Sequence, residues 1–161
     1  MAAVDYFLRI DGIEGESADA KHKGEIDVLS WSWGASNTGS GAGAGGGVGR
    51  ASVQDLHVAA RMSKASPRLF LACAGGQRIK QARLTAVRAG GAQGEFLTLT
   101  LSDVMVSSYQ TGGSEAGDVI PTDQVSLNFA KLSMEYKAQK ADGSLEPSVV
   151  AGWDVKSNTK V

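Results

Sequence analysis

The sequence predicts a mainly β fold: a small antiparallel β-barrel of about eight strands with one short α-helix. Three observations carry that reading. Apolar residues alternate with period two through most of the 161-residue chain. Two long alternating stretches change phase midway, which predicts β-bulges of the kind that bend strands toward closure. A single segment carries helix punctuation at both ends.

The first strand alternates Val4, Tyr6, Leu8 and Ile10 with Asp5 and Arg9, and Asp11-Gly12 starts a turn. Residues 13–24 are polar and mixed and are expected to loop over the surface. The second strand runs from about Ile26 to Ala35. It places Leu29, Trp31 and Trp33 on one face and Ser30, Ser32 and Gly34 on the other, because side chains two apart share a face. One side of this strand is heavy and apolar, and the other is nearly bare. A bare polar face lines something wet: bulk water, a partner or a channel.

Gly39 to Gly49 holds seven glycines and no long side chain. Nothing there packs, so a flexible loop is expected over 38–50. A third strand follows from about Ala51 to Ala60. Ser66-Pro67 reads as an N-cap serine with proline at the first helical position. The helix continues through Leu69, Phe70 and Leu71 to Ala74 and stops at Gly75-Gly76. Strands resume near Ile79 to Ala89. The next strand places Leu97, Leu99 and Leu101 on odd numbers, then Val104 and Val106 on even numbers, so a bulge is expected at Ser102-Asp103. After the polar loop Thr111-Gly112-Gly113-Ser114, Val125, Leu127 and Phe129 switch in the same way to Leu132, Met134 and Tyr136. Beyond the turn at Asp142-Gly143, a last strand sets Val149, Ala151, Trp153 and Val155 on one face.

Composition excludes several functions. Lysine plus arginine number 16 against 17 acids, so no basic excess exists to neutralise phosphates, and nucleic acid is not an expected partner. No apolar run approaches the roughly 20 residues of a spanning helix, so direct membrane insertion is not expected. The start Met1-Ala2-Ala3-Val4-Asp5-Tyr6 lacks the basic and apolar regions of a signal peptide. The expected site of folding is the cytoplasm, and export would be in the folded state. Cys73 is the single cysteine and the histidines are His22 and His57, too few for a cysteine–histidine zinc cluster.

Nothing reads as catalysis, and no cofactor or metal is expected. Gly41-Ala42-Gly43-Ala44-Gly45-Gly46 formally matches a dinucleotide fingerprint, but a strand follows it where the mechanism needs a helix. His22 lies in a charged loop and His57 on a polar strand face beside Asp55; both read as solvated. A serine–histidine–acid site is not excluded by counting, yet no Gly-x-Ser-x-Gly elbow is present. Cys73 reads as a small buried residue. Trp31, Trp33, Phe129 and Trp153 read as structural core or its margin.

Several pieces in order resemble the Hcp (haemolysin-coregulated protein) family of bacterial type VI secretion. They are Asp5-Tyr6-Phe7-Leu8-Arg9-Ile10 with Gly12-x-x-Gly15-Glu16-Ser17, then Glu25 through Gly34 and the glycine tract. Val53-Gln54-Asp55-Leu56 follows, and Ser66-Pro67 leading to Ala72-Cys73-Ala74-Gly75-Gly76. Val106-Ser107-Ser108, Val125-Ser126-Leu127-Asn128-Phe129-Ala130, Lys140-Ala141-Asp142-Gly143 and Gly152-Trp153-Asp154 complete the series. The resemblance covers nearly the whole chain.

It implies one Hcp-like β-barrel domain over 1–161 that closes into a homohexameric ring, and rings that stack into a secreted hollow tube. Partners would be the contractile sheath and spike of the apparatus and small effector proteins in the lumen. The core domain of the family is not an enzyme. The bare face with Ser30 and Ser32 corresponds to the lumen surface. The tract with Gly39, Gly41, Gly43, Gly45, Gly46, Gly47 and Gly49 suits contacts between stacked rings. Two other readings stay open: a phage-like tail tube protein, and a monomeric small-ligand-binding β-barrel with an apolar cavity inside one subunit.

Overall fold

Leucine and valine supplied by alternate positions of each strand build the interior. The computed structural model describes residues 4–38, 49–88, 94–116 and 120–161. Its elements are β1 (Val4–Ile10), β2 (Ile26–Ser32), β3 (Ala35–Asn37), β4 (Ala51–Val53), β5 (Leu56–Arg61), α1 (Ser66–Ala74), β6 (Ile79–Arg88), β7 (Glu95–Gly112), β8 (Thr122–Tyr136), β9 (Val149–Asp154) and β10 (Thr159–Lys160). Six strands close in the order β1-β2-β5-β8-β7-β6, with β6 returning to β1, and every pairing is antiparallel. Leu8, Leu56, Leu84, Leu99, Leu101, Val104, Val106 and Leu127 fill the barrel and are almost fully buried.

The long strand β8 pairs with β7 along one edge and divides its other edge between two neighbours. Residues from Thr122 to Leu127 pair with β5, and residues from Lys131 to Tyr136 pair with β9. The β9–β10 hairpin therefore lies outside the closed barrel, with Val149 and Val150 exposed and Trp153 half-buried. The apolar alternation expected for the last strand is present, but that face is mostly not buried.

Four local features differ from the sequence expectation. The second strand breaks at Trp33-Gly34 and the third at Gln54-Asp55, so β3 and β4 form a separate two-stranded arm. Burial does switch phase at Ser102-Asp103, but no bulge lies there. Ser102 pairs with Lys131 and Val104 with Phe129 in unbroken register, and Asp103 takes a left-handed φ of 54°. Both strands change face opposite one another, so no extra residue is needed. The register slips lie instead between Val106 and Ser108, between Ala86 and Val87, and between Val28 and Ser30. The last of these leaves Leu29 exposed, off the tryptophan face.

The N-cap of α1 is Ala65, not Ser66. The Ser66 hydroxyl is inside the first turn, accepts the Ser63 N–H at 3.0 Å and donates to the buried carboxylate of Asp123. The C-terminal stop matches: Gly75 N–H donates to Leu71 O at 2.9 Å and Gly76 turns with φ of 60°.

Residues 11–25 are not an idle surface loop. Gly15 N–H donates to Gly24 O at 2.8 Å and Ser17 N–H to Glu25 O at 2.9 Å, folding the segment back on itself. His22 is buried and stacks on Phe7 with ring centroids 4.5 Å apart and planes 5° from parallel. Its Nδ1 lies 3.1 Å from the Glu25 carboxylate and its Nε2 2.9 Å from Glu95. Phe7 and its cross-strand partner Thr85 face away from the barrel interior yet are buried, because this segment covers them.

Candidate functional site

The sheet β2-β5-β8-β7 keeps its outer face open, and its register sorts that face into cross-strand rows. Ser32 pairs with His57, His57 with Ser126, and Ser126 with Ser108. One turn of the pleat further on, Ser30 pairs with Ala59, Ala59 with Gln124, and Gln124 with Gln110. Every member is exposed or half-buried, and the residues between them on each strand point into the core. The rows carry hydroxyls, amides and one imidazole.

Short bonds order the edge of this face. His57 Nδ1 lies 2.8 Å from Ser126 Oγ. Ser107, at the register slip of β7, donates from Oγ to Asp55 Oδ2 at 2.5 Å and to Ser126 O at 3.2 Å. Asn128 Nδ2 donates to Asp55 Oδ1 at 2.9 Å. Both Asp55 oxygens thus hold neighbours other than His57. A serine and a histidine touch, but the acid that would orient the ring is bonded elsewhere, which is not a charge-relay arrangement.

Ser30 and Ser32 are exposed on this face. Trp31 and Trp33 are half-buried on the opposite side against the core, and Trp31 meets Tyr6 edge-on at 5.9 Å. Phe129 lies within the core. Trp153 lies on β9, beside a cleft of about 440 Å³ under the arm that Trp33, Val53 and Leu132 also line. Gly39, Gly41, Gly43, Gly45, Gly46 and Gly47 lie outside the described residues. Gly49 is described, and its carbonyl accepts a bond of 3.0 Å from Asn37 Nδ2. The arm is tied to the far hairpin at the end where Asn37 pairs with Ala51: Arg50 Nη2 donates to Lys156 O at 3.2 Å, and Ala51 N–H to Asn158 Oδ1 at 3.1 Å.

Sequence reasoning took His57 for a solvated residue and passed over Ser126, Ser108, Gln124 and Gln110. The signal was the run of polar residues at every second position in Asp55-x-His57 and Gln124-x-Ser126-x-Asn128, whose alignment across strands needs the register.

A family model described as "Type VI secretion system effector, Hcp" matches residues 7–136. The chain is also 49% identical over 161 residues to Protein hcp1 of Pseudomonas aeruginosa, covering 98% of this chain and 99% of that one. This chain belongs to the Hcp family. Among solved Hcp structures, Hcp1 from Salmonella typhimurium superposes with a TM-score of 0.80 at 38% identity, over 99% of this chain and all of that one. A protein described as a type six secretion system protein superposes with a TM-score of 0.93 at 30% identity, over 99% of this chain and 100% of its own. Membership places the chain among type VI secretion effector and tube proteins. The barrel interior is filled by leucine and valine side chains, and the outer face of β2, β5, β8 and β7 is open. Among the described residues, no helix is long and apolar enough to cross a membrane, and no group of three or more His, Cys, Asp or Glu side chains is placed to hold a metal ion.

Proposed function

We propose that this chain is the repeating subunit of a type VI inner tube, forming homohexameric rings whose bore is lined by the face of β2, β5, β8 and β7. The observation that carries the reading is the pair of rows through Ser32 and Ser30. They are polar and bare, while the opposite outer wall, at Phe7 and Thr85, is covered by the chain's own 11–25 segment. A face left uncovered and nearly uncharged suits a wall past which folded cargo slides. Subunits docking head-to-tail about an axis close into a ring.

In this reading the chain is not an enzyme. It is made and assembled in the cytoplasm and then exported by the secretion apparatus. Small effector proteins occupy the bore, and the contractile sheath and spike contact the tube. The arm of β3 and β4, together with the glycine tract between them in sequence, contacts the next ring.

Size-exclusion with light scattering and negative-stain imaging test the assembly. A doughnut of several times the 16.7 kDa chain mass is expected. Lone globules at high protein concentration and low salt would end the reading. Ser32→Gln is expected to leave rings intact while lowering effector co-purification, and unchanged retention would remove Ser32 from the cargo contact. Shortening the tract between Gly39 and Gly49 is expected to keep single rings and reduce tubes.

A further inference from the structure

The wall opposite the open face is covered at Phe7 and Thr85, but one row further on it is bare. That row runs Arg9, Arg83, Thr100, Ser133 across β1, β6, β7 and β8, each paired with the next. Both arginines are exposed, and Thr100 and Ser133 are half-buried. Directly opposed residues of an antiparallel pair stand about 5 Å apart at their β-carbons, so the two like charges repel. Among the described residues, no carboxylate comes within 4.0 Å of either guanidinium. The acids around the row are engaged or face elsewhere. Glu25 and Glu95 lie 3.1 Å and 2.9 Å from the two ring nitrogens of His22, and Asp154 lies 3.9 Å from Lys131. Glu135 stands on the neighbouring row opposite Thr98, and Asp11 follows β1 in a turn.

The chemistry of the row is set by its guanidiniums. Each offers N–H donors, has no acceptor and stays charged at every working pH. Its planar fork matches a carboxylate with two parallel bonds. An anion laid across two such forks satisfies the donors and relieves the repulsion between them. The row holds two cations and then hydroxyls, too few charges to follow a phosphate backbone. We propose that Arg9 and Arg83 form a docking point for an acidic protein surface. Resting on the reading of the opposite face as a bore, the pair points outward, and the carboxylates belong to the body that encloses the tube. A closed ring repeats the pair around its circumference, so individually weak contacts act together.

The test uses the full chain and three fluorescein-labelled probes, hexaglutamate, hexalysine and a hexathymidine oligonucleotide, with binding read by anisotropy. Hexaglutamate is expected to bind at low salt and to weaken as salt screens the exposed pair. Arg9→Gln with Arg83→Gln is expected to weaken it about tenfold further, while melting no lower than the parent chain. Lys140→Gln with Lys160→Gln removes the same charge elsewhere and is expected to leave binding unchanged. Equal losses in the two double variants would mean attraction by net charge alone and would overturn the proposal. So would tighter binding of the oligonucleotide or of hexalysine, or no binding of hexaglutamate. Light scattering on the same samples separates the two readings. Rings that ignore hexaglutamate end this proposal and leave the bore standing. Loss of rings in the arginine double variant, with melting unchanged, would put the pair in the joint between copies and overturn the proposal as well. A parent chain that stays monomeric ends the bore and, with it, the outward docking.

Discussion

Asp123 joins three elements through one carboxylate. It is 2% exposed, on β8, and accepts from the Ser66 hydroxyl of α1 and, at 2.9 Å, from the Tyr109 hydroxyl of β7. Burial and the bond to Asp123 push the Tyr109 phenol above its usual value, so it stays a donor across the neutral range. Asp123→Ala would strand two hydroxyls and is expected to cost about 3 kcal/mol, with Tyr109→Phe costing about 1.5 kcal/mol, read as shifts in the denaturation midpoint. Asp27 tells the opposite story. Burial first, then the Asp5 and Asp19 carboxylates, hold its acid above the ordinary value; Arg61 opposes them and Glu16 adds to them. The native state thus binds this proton more tightly than the unfolded chain does. The charged carboxylate costs stability at neutral pH, and the cost fades as pH falls through the raised native value into the ordinary carboxylate range. Asp27→Asn is expected to raise the melting temperature at neutral pH and to make no difference in acid. Local spacing revealed neither role. Ser66 beside Pro67 looks like a cap, but its partner lies 57 residues away. His22, between exposed Lys21 and Lys23, looks solvated until Phe7 is seen to need a cover.

Elements with strong alternation were readable, and so was the helix with its glycine stop. What alternation cannot distinguish is a bulge from two strands turning together. Leu101 pairs with Leu132 and Val104 with Phe129, so the change of face happens on both sides of one ladder and leaves the register whole. A single strand's pattern is identical in the two cases. The breaks at Gly34 and at Asp55, which separate the arm from the barrel, were likewise hidden inside continuous polar–apolar alternation. The 11–25 segment carries little patterning because backbone bonds hold it in place. Gly15 is its tightest point: a β-carbon there would stand 2.5 Å from the Glu25 carbonyl oxygen, a backbone atom that has no room to give. Gly15→Ala is expected to lift the segment from Phe7 and Thr85 and to cost about 2 kcal/mol. Faster hydrogen exchange at 15–25 than in the parent chain would check it. Unchanged exchange would mean that the cover is held by His22 alone.

At the scale of the molecule, an antiparallel barrel of about eight strands was foreseen; six of the strands close, with β9 and β10 outside them, and filling of the interior follows from leucines at alternate positions. The alignment of polar side chains into rows was not foreseen, since it depends on three registers at once. Nor was the sharing of β8 between β5 and β9. That sharing has a mechanical consequence. A pull on the C-terminus meets β10 first, whose strand partner is β9, then the hairpin turn, which Arg50 and Ala51 of the arm also hold, and then β9, which is bonded to β8. These strands unzip one rung at a time while the barrel's own seams carry no load. A subunit tugged from that end would lengthen at low force and still keep its shape, so the far hairpin acts as a fuse between an applied tension and the wall it protects.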